Sequence, residues 1–204
     1  MDLYRLELAL KKVWDFWYNW GRKQSNDWDT KTKFIYNTRS FSELLKEINN
    51  FNQELKNYAV IRWYNFHSAM WAEYIFSTHD NVKANKNKYD KLIDFTIDDI
   101  SFDHKTTIFP KWFNNTFEYW KENKEELIRW LYENQSQEQR KHLSNRLFIV
   151  LYDWKNKEHW KMKAEISLLK EWINNYMKTF NKNNLVKMDF WEWNIYTDII
   201  WITK

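Results

Sequence analysis

The sequence predicts an α/β domain in which helices cover a mixed β-sheet and the N-terminal part is helical. Three observations lead there. Up to about residue 80 the apolar residues recur with helical spacing or fill a helix all round. From Tyr89 onward, stretches rich in β-branched and aromatic residues alternate polar with apolar. After that, helix-like and strand-like segments take turns to the end of the chain, the order that builds a sheet with helical crossovers.

Taken in order, Ser40-Phe41-Ser42-Glu43 fits a capping box, with Ser40 as the cap and Glu43 three residues in. A helix of SELLKEINNFNQEL character follows. The stretch from Asn57 to Phe76 is apolar nearly all round and predicts a buried helix. KLIDFTI and ISFDHKTTIF, joined by Asp98-Asp99, predict a hairpin with a two-residue turn. A helix is expected from Asn115, with Glu118 three residues on, to about Glu133, and a short one after Ser136. LFIVLY, Leu147 to Tyr152, is a continuous apolar run that suits a strand covered on both faces. A long helix is expected over Glu158 to Phe180. LVKMDF and IYTDIIWIT close the chain as two strands. The expected organisation is a single domain over 1–204, with a helical extension over 1–56 and a core over 57–204.

The composition excludes several classes. The 204 residues contain no cysteine, so disulfides, thiolate zinc sites and cysteine nucleophiles are ruled out. The net charge of +4 permits nucleic-acid contact without demanding it. Charges run through the first residues, and Arg62 and Glu73 interrupt the most apolar stretch, so nothing reaches the ~20 apolar residues of a membrane span. A cytoplasmic location without membrane contact is the expectation. One Gly, one Pro and 15 Trp are unusual, since average usage of ~7% Gly gives about 14 in this length. Trp112, Trp191 and Trp193 stand where turns favour Gly, either in an unusually aromatic natural protein or in a sequence altered from its parent.

The hairpin carries the chemistry. With Asp98 and Asp99 as the turn, Ile97 pairs with Ile100, Thr96 with Ser101, Phe95 with Phe102 and Asp94 with Asp103. One face then holds Ile93, Phe95, Phe102, His104 and Thr106, and the other holds Asp94, Thr96, Ser101, Asp103 and Lys105. Like charges directly opposite destabilise a strand pair. Either a divalent cation sits between the carboxylates, or the face is simply solvated, with Lys105 screening the acids.

Asp94, eight intervening residues and the triplet Asp103-His104-Lys105 resemble the motif of the PD-(D/E)xK nuclease superfamily, the restriction-endonuclease-like fold. Ile93 stands where that motif carries its leading Pro, and the triplet begins with Asp rather than Glu. The family core runs helix, three strands, helix, strand. The predicted elements from Asn57 follow this order, although the first strand is not visible unless it lies near Asp80 to Tyr89 or the hairpin begins earlier. The resemblance implies a metal-dependent endonuclease that hydrolyses DNA and leaves a 5′-phosphate. Asp94 and Asp103 would hold Mg²⁺ or Mn²⁺, with the backbone carbonyl of His104 completing the shell. Lys105 would orient the attacking water and offset charge on the phosphate. Such nucleases often add a glutamate from the preceding helix. Glu73, 21 residues before Asp94, is the candidate, among Phe66, Ala69, Met70 and Phe76. A helix edge reaching solvent is its alternative reading.

Three histidines lie nearby. His104 alternates to the face away from Asp103 and reads as a packing residue. His67 reads as a core histidine, and His79 as a cation at a helix end. Lys83, Lys86, Lys88 and Lys111 are candidate contacts to a DNA backbone, although a lysine run is also an ordinary solvated loop. A homodimer fits cleavage of both strands. The rival to the nuclease is a non-catalytic module in which exposed aromatics and lysines bind nucleic acid or protein.

Overall fold

The computed structural model describes residues 3–16, 26–87, 90, 92–110, 115–134, 144–190 and 193–204. Seven α-helices and six strands lie among them. Helices α1 (Leu3–Lys11), α2 (Asn26–Lys31) and α3 (Phe41–Glu47) lead into the 25-residue α4 (Gln53–Ser77). Then come β1 (Val82–Ala84), β2 (Phe95–Ile97), β3 (Ile100–Ile108), α5 (Phe117–Glu122), α6 (Lys124–Asn134), β4 (Arg146–Tyr152), α7 (Ile166–Thr179), β5 (Val186–Phe190) and β6 (Trp193–Thr203). The strands form one mixed sheet in the order β1-β2-β3-β4-β6-β5. The β1–β2–β3 meander is antiparallel, β3, β4 and β6 run parallel, and β5 returns antiparallel to β6.

Strand β4 sits between two parallel neighbours, as its unbroken apolar run requires. Its side chains alternate between two cores. Leu147, Ile149 and Leu151 join α4 and α7 on one face, while Phe148 and Val150 join α5 and α6 on the other. The first core is continuous with the N-terminal helices, since Leu6, Leu10, Ile35 and Leu44 pack in the same cluster as Trp63 and Phe76. Among the described residues no helix is long and apolar enough to cross a membrane.

The expected capping box at Ser40 is present: the Ser40 hydroxyl accepts from the Glu43 amide and the Glu43 carboxylate accepts from the Ser40 amide. The buried helix begins earlier than expected, because Asn52 caps it by accepting from the Leu55 amide. The hairpin register over Phe95–Phe102, Thr96–Ser101 and Ile97–Ile100 agrees with the alternation. Asp98 and Asp99 make its turn at φ 47° and 64°, the left-handed conformation that a two-residue hairpin favours and that aspartate tolerates better than bulky residues do. A strand does lie in the 80–89 window: β1, which pairs antiparallel with β2.

Further expectations of the fold need correction. The helix expected from Asn115 is two helices, capped by Thr116 and interrupted at Asn123. The helix expected over 158–180 is a 3₁₀ segment, His159–Ala164, followed by α7, with Glu165 at φ −83° and ψ 68° breaking the two apart. Strand β2 begins at Phe95, so Asp94 precedes it. The helix expected after Ser136, Trp112 and the Trp191 link lie outside the described residues.

Helix α1 is tied to α7 by one carboxylate. Glu7 accepts from Lys11 Nζ at 2.5 Å and from the Ser167 amide and hydroxyl at 2.7 and 2.6 Å, at the N-terminal turn of α7. Burial pushes its carboxyl up, but these bonds together outweigh burial and hold it below the ordinary value of 4.5. The stabilisation is therefore complete above about 4.5 and disappears as pH falls through the lowered value in the folded protein. Urea unfolding of wild type and Glu7→Gln should differ most near neutral pH and converge in acid. A gap that widens in acid would contradict this linkage.

Candidate metal centre

The site forms where β2 gives way to a loop and α4 passes over β3. Asn85 shapes that loop. Its side-chain amide donates to Asp90 Oδ2 and to the Ile93 carbonyl, and its backbone amide donates to the Asp94 carbonyl. Asp94 therefore leaves the ladder one residue early, and its amide donates to the Phe102 carbonyl at 2.8 Å. The Asp103 amide points toward β4, where it donates to the Asn145 carbonyl. Alternation turns the His104 amide the other way, and Asp94 Oδ2 accepts from it at 2.7 Å. The carboxylate of Asp94 thus stands in the line of the sheet, where a strand carbonyl would otherwise be.

This corrects the expected pairing of Asp94 across from Asp103. The two acids do not form a bare like-charge pair. Asp103, 3% exposed, lies toward α5 and α6, where its Oδ1 accepts from Lys105 Nζ at 2.6 Å and its Oδ2 from Arg146 Nε at 3.0 Å. Arg146 in turn lies 5.0 Å over the Tyr132 ring. The repulsion that called for a cation is relieved here by two side-chain cations. Lys105 itself is half-exposed.

The convergence lies instead on the α4 side. Glu73 Oε1 is 3.6 Å from His104 Nδ1, and Asp94 Oδ2 is 3.4 Å from it. One ligand atom from each of Glu73, Asp94 and His104 falls within 4.8 Å of the others. His104 packs as expected, its ring beside Phe95 and Phe76 at 6.3 and 6.5 Å between centroids, and its Nδ1 also faces the two acids. The Glu73 side chain is 40% exposed, at the helix edge rather than sealed in the apolar stripe. Burial chiefly, with the charges of Asp94 and Asp103, holds the Glu73 carboxyl above the ordinary value against the pull of Lys105. For Asp94 burial, which raises it, is outweighed by the hydrogen bond from the His104 backbone amide and by the Lys105 charge among other neighbours, and its carboxyl lies below the ordinary value. Lys105 thus acts on both acids through its field, although its hydrogen bond goes to Asp103.

Sequence reasoning missed Arg146 and Asn85. A charge opening the doubly covered run LFIVLY was a signal for Arg146, because a cation at such a strand needs a buried partner. Of the lysines, Lys83 is exposed and pairs with Asp99 at 2.8 Å, Lys86 is exposed, and Lys88 and Lys111 lie outside the described residues. His67 bonds the Thr38 carbonyl at 2.9 Å and His79 bonds Asn174 Oδ1 at 3.0 Å, each away from the cluster. Comparison with family models, with curated proteins and with solved structures finds no match to this chain.

Proposed function

We propose that the protein is a metal-dependent phosphodiesterase of restriction-endonuclease-like fold that cleaves DNA. The observation that carries this reading is the meeting of Glu73, Asp94 and His104 at the hairpin entrance, with the Asp103–Lys105 pair on the other face of the sheet near enough for its charges to act on the acids. The element order supports it too: a long helix, a three-strand antiparallel meander, helices, then a strand parallel to the third. The donor set fits a divalent cation, with two carboxylates and an inward imidazole nitrogen. Glu73, Asp94 and His104 would hold it, and Asp103 is near enough for its charge to act on Glu73. The cation, Mg²⁺ or Mn²⁺, supplies Lewis-acid polarisation of the phosphodiester and activation of a water.

The chain's own groups do the rest. Asp103, fixed by Arg146, holds the Lys105 ammonium where its charge reaches Glu73 and Asp94. From there the ammonium donates to a phosphate oxygen and offsets the charge that grows on it. Lys86 is exposed on the loop after β1 and would add positive charge for a phosphate backbone, as would Lys83 on exchanging its Asp99 partner for a phosphate. Plasmid DNA incubated with Mg²⁺ or Mn²⁺ should be nicked or linearised with 5′-phosphate ends. Asp94→Ala should slow this by about 100-fold or more, with circular dichroism unchanged. DNA binding without any cleavage would replace this reading with the non-catalytic module.

A further inference from the structure

We infer that His104 ligates the cation through Nδ1, and that the site selects first-row transition dications such as Mn²⁺, Co²⁺ and Zn²⁺ over Mg²⁺. This deepens the reading above and rests on it for the presence of a cation.

The evidence is a polar atom without a partner. The His104 side chain is 2% exposed, and its Nδ1 is buried without a hydrogen-bond partner. Two carboxylate oxygens lie near it, at 3.4 and 3.6 Å, too far for a good hydrogen bond. Those separations suit neighbours on a common ion: ligands about 2.1 Å from a tetrahedral centre lie roughly 3.4 Å apart. The other ring nitrogen, Nε2, is 3.4 Å from Thr106 Oγ1. With the ring proton on Nε2, the Nδ1 lone pair is directed at the two acids, the orientation a metal-ligating imidazole requires. Phe76 and Phe95 fix the plane of the ring.

The donor set then decides the ion. Mg²⁺ demands near-octahedral oxygen ligands and sheds water reluctantly. An imidazole nitrogen beside two carboxylates favours the borderline transition ions, and affinity rises from Mn²⁺ through Co²⁺ along the series.

The test uses the full chain loaded with Mn²⁺ and read by electron paramagnetic resonance. Co²⁺ or Zn²⁺ should displace Mn²⁺ at concentrations at least about tenfold below those needed for Mg²⁺. Pulsed measurements on the wild type should show nitrogen coupling from a directly bonded imidazole. His104→Phe keeps a ring beside Phe76 and Phe95, and it should abolish the coupling and bring the transition ions and Mg²⁺ to within a few-fold of each other. Should that variant unfold, the wild-type coupling still decides. Mg²⁺ competing as well as Zn²⁺, or Mn²⁺ bound without nitrogen coupling, overturns the inference. The two readings separate cleanly. Cleavage with Mg²⁺ and no transition-ion preference removes this inference and leaves the hydrolase. Nitrogen-ligated Mn²⁺ with no cleavage supports this inference and removes the hydrolase.

Discussion

Lys105→Met is expected to lower metal-dependent DNA cleavage by ~100- to 1000-fold, about 3 to 4 kcal/mol of transition-state stabilisation, while leaving the protein folded. The fold should tolerate the change because the Lys105 side chain is half-exposed and its partner Asp103 keeps Arg146 at 3.0 Å. The reaction should not, because no other described lysine is hydrogen-bonded to an acid of the hairpin strands. The loss should fall on kcat rather than on KM, since an ammonium that offsets charge developing on the phosphate acts in the transition state. Lys105→Arg should recover part of the rate, because the charge is kept and only its position changes. Cleavage by Lys105→Met at the wild-type rate would falsify the role given to this residue.

Arg146→Leu should cost about 3 kcal/mol of stability, the low end for breaking a buried ion pair, because Lys105 remains beside Asp103. Arg146 is 7% exposed, and its removal leaves the Asp103 carboxylate with one hydrogen bond in place of two. The double variant Asp103→Asn, Arg146→Leu should lose clearly less than the sum of the single losses, since the buried charge that made the arginine necessary is gone. Urea midpoints of the three variants close the cycle. Additive losses would mean that Arg146 contributes through packing on Tyr132 rather than through Asp103.

Much of the framework was legible because it depends on patterns confined to single segments. The Asp98-Asp99 turn and the alternation of Phe95, Ile97, Ile100 and Phe102 fixed the hairpin register, and the unbroken LFIVLY run marked the central strand. The break at Asp94 was not legible. It depends on what the Asn85 side chain bonds in a loop, and loops of this kind carry no hydrophobic period. Extending the ladder by one residue therefore placed Asp94 opposite Asp103. The position of His104 was half legible: alternation sent it to the face that α4 covers, and Glu73 was already expected on that helix. What alternation could not give was the ring orientation, which depends on Phe76 arriving from a distant segment. The interruptions at Asn123 and Glu165 were hidden for a related reason, because helix-forming residues continue on both sides of each.

The brevity of β1 bears on how two copies could meet. The sheet ends at that margin on three residues, with the ionic Lys83–Asp99 contact on the hairpin beside it. So short and charged a border offers little unpaired backbone to a second chain. At the far margin β5 presents five residues. Any strand addition between copies would therefore meet less obstruction at the border remote from the hairpin, where it would leave the acids and the imidazole uncovered.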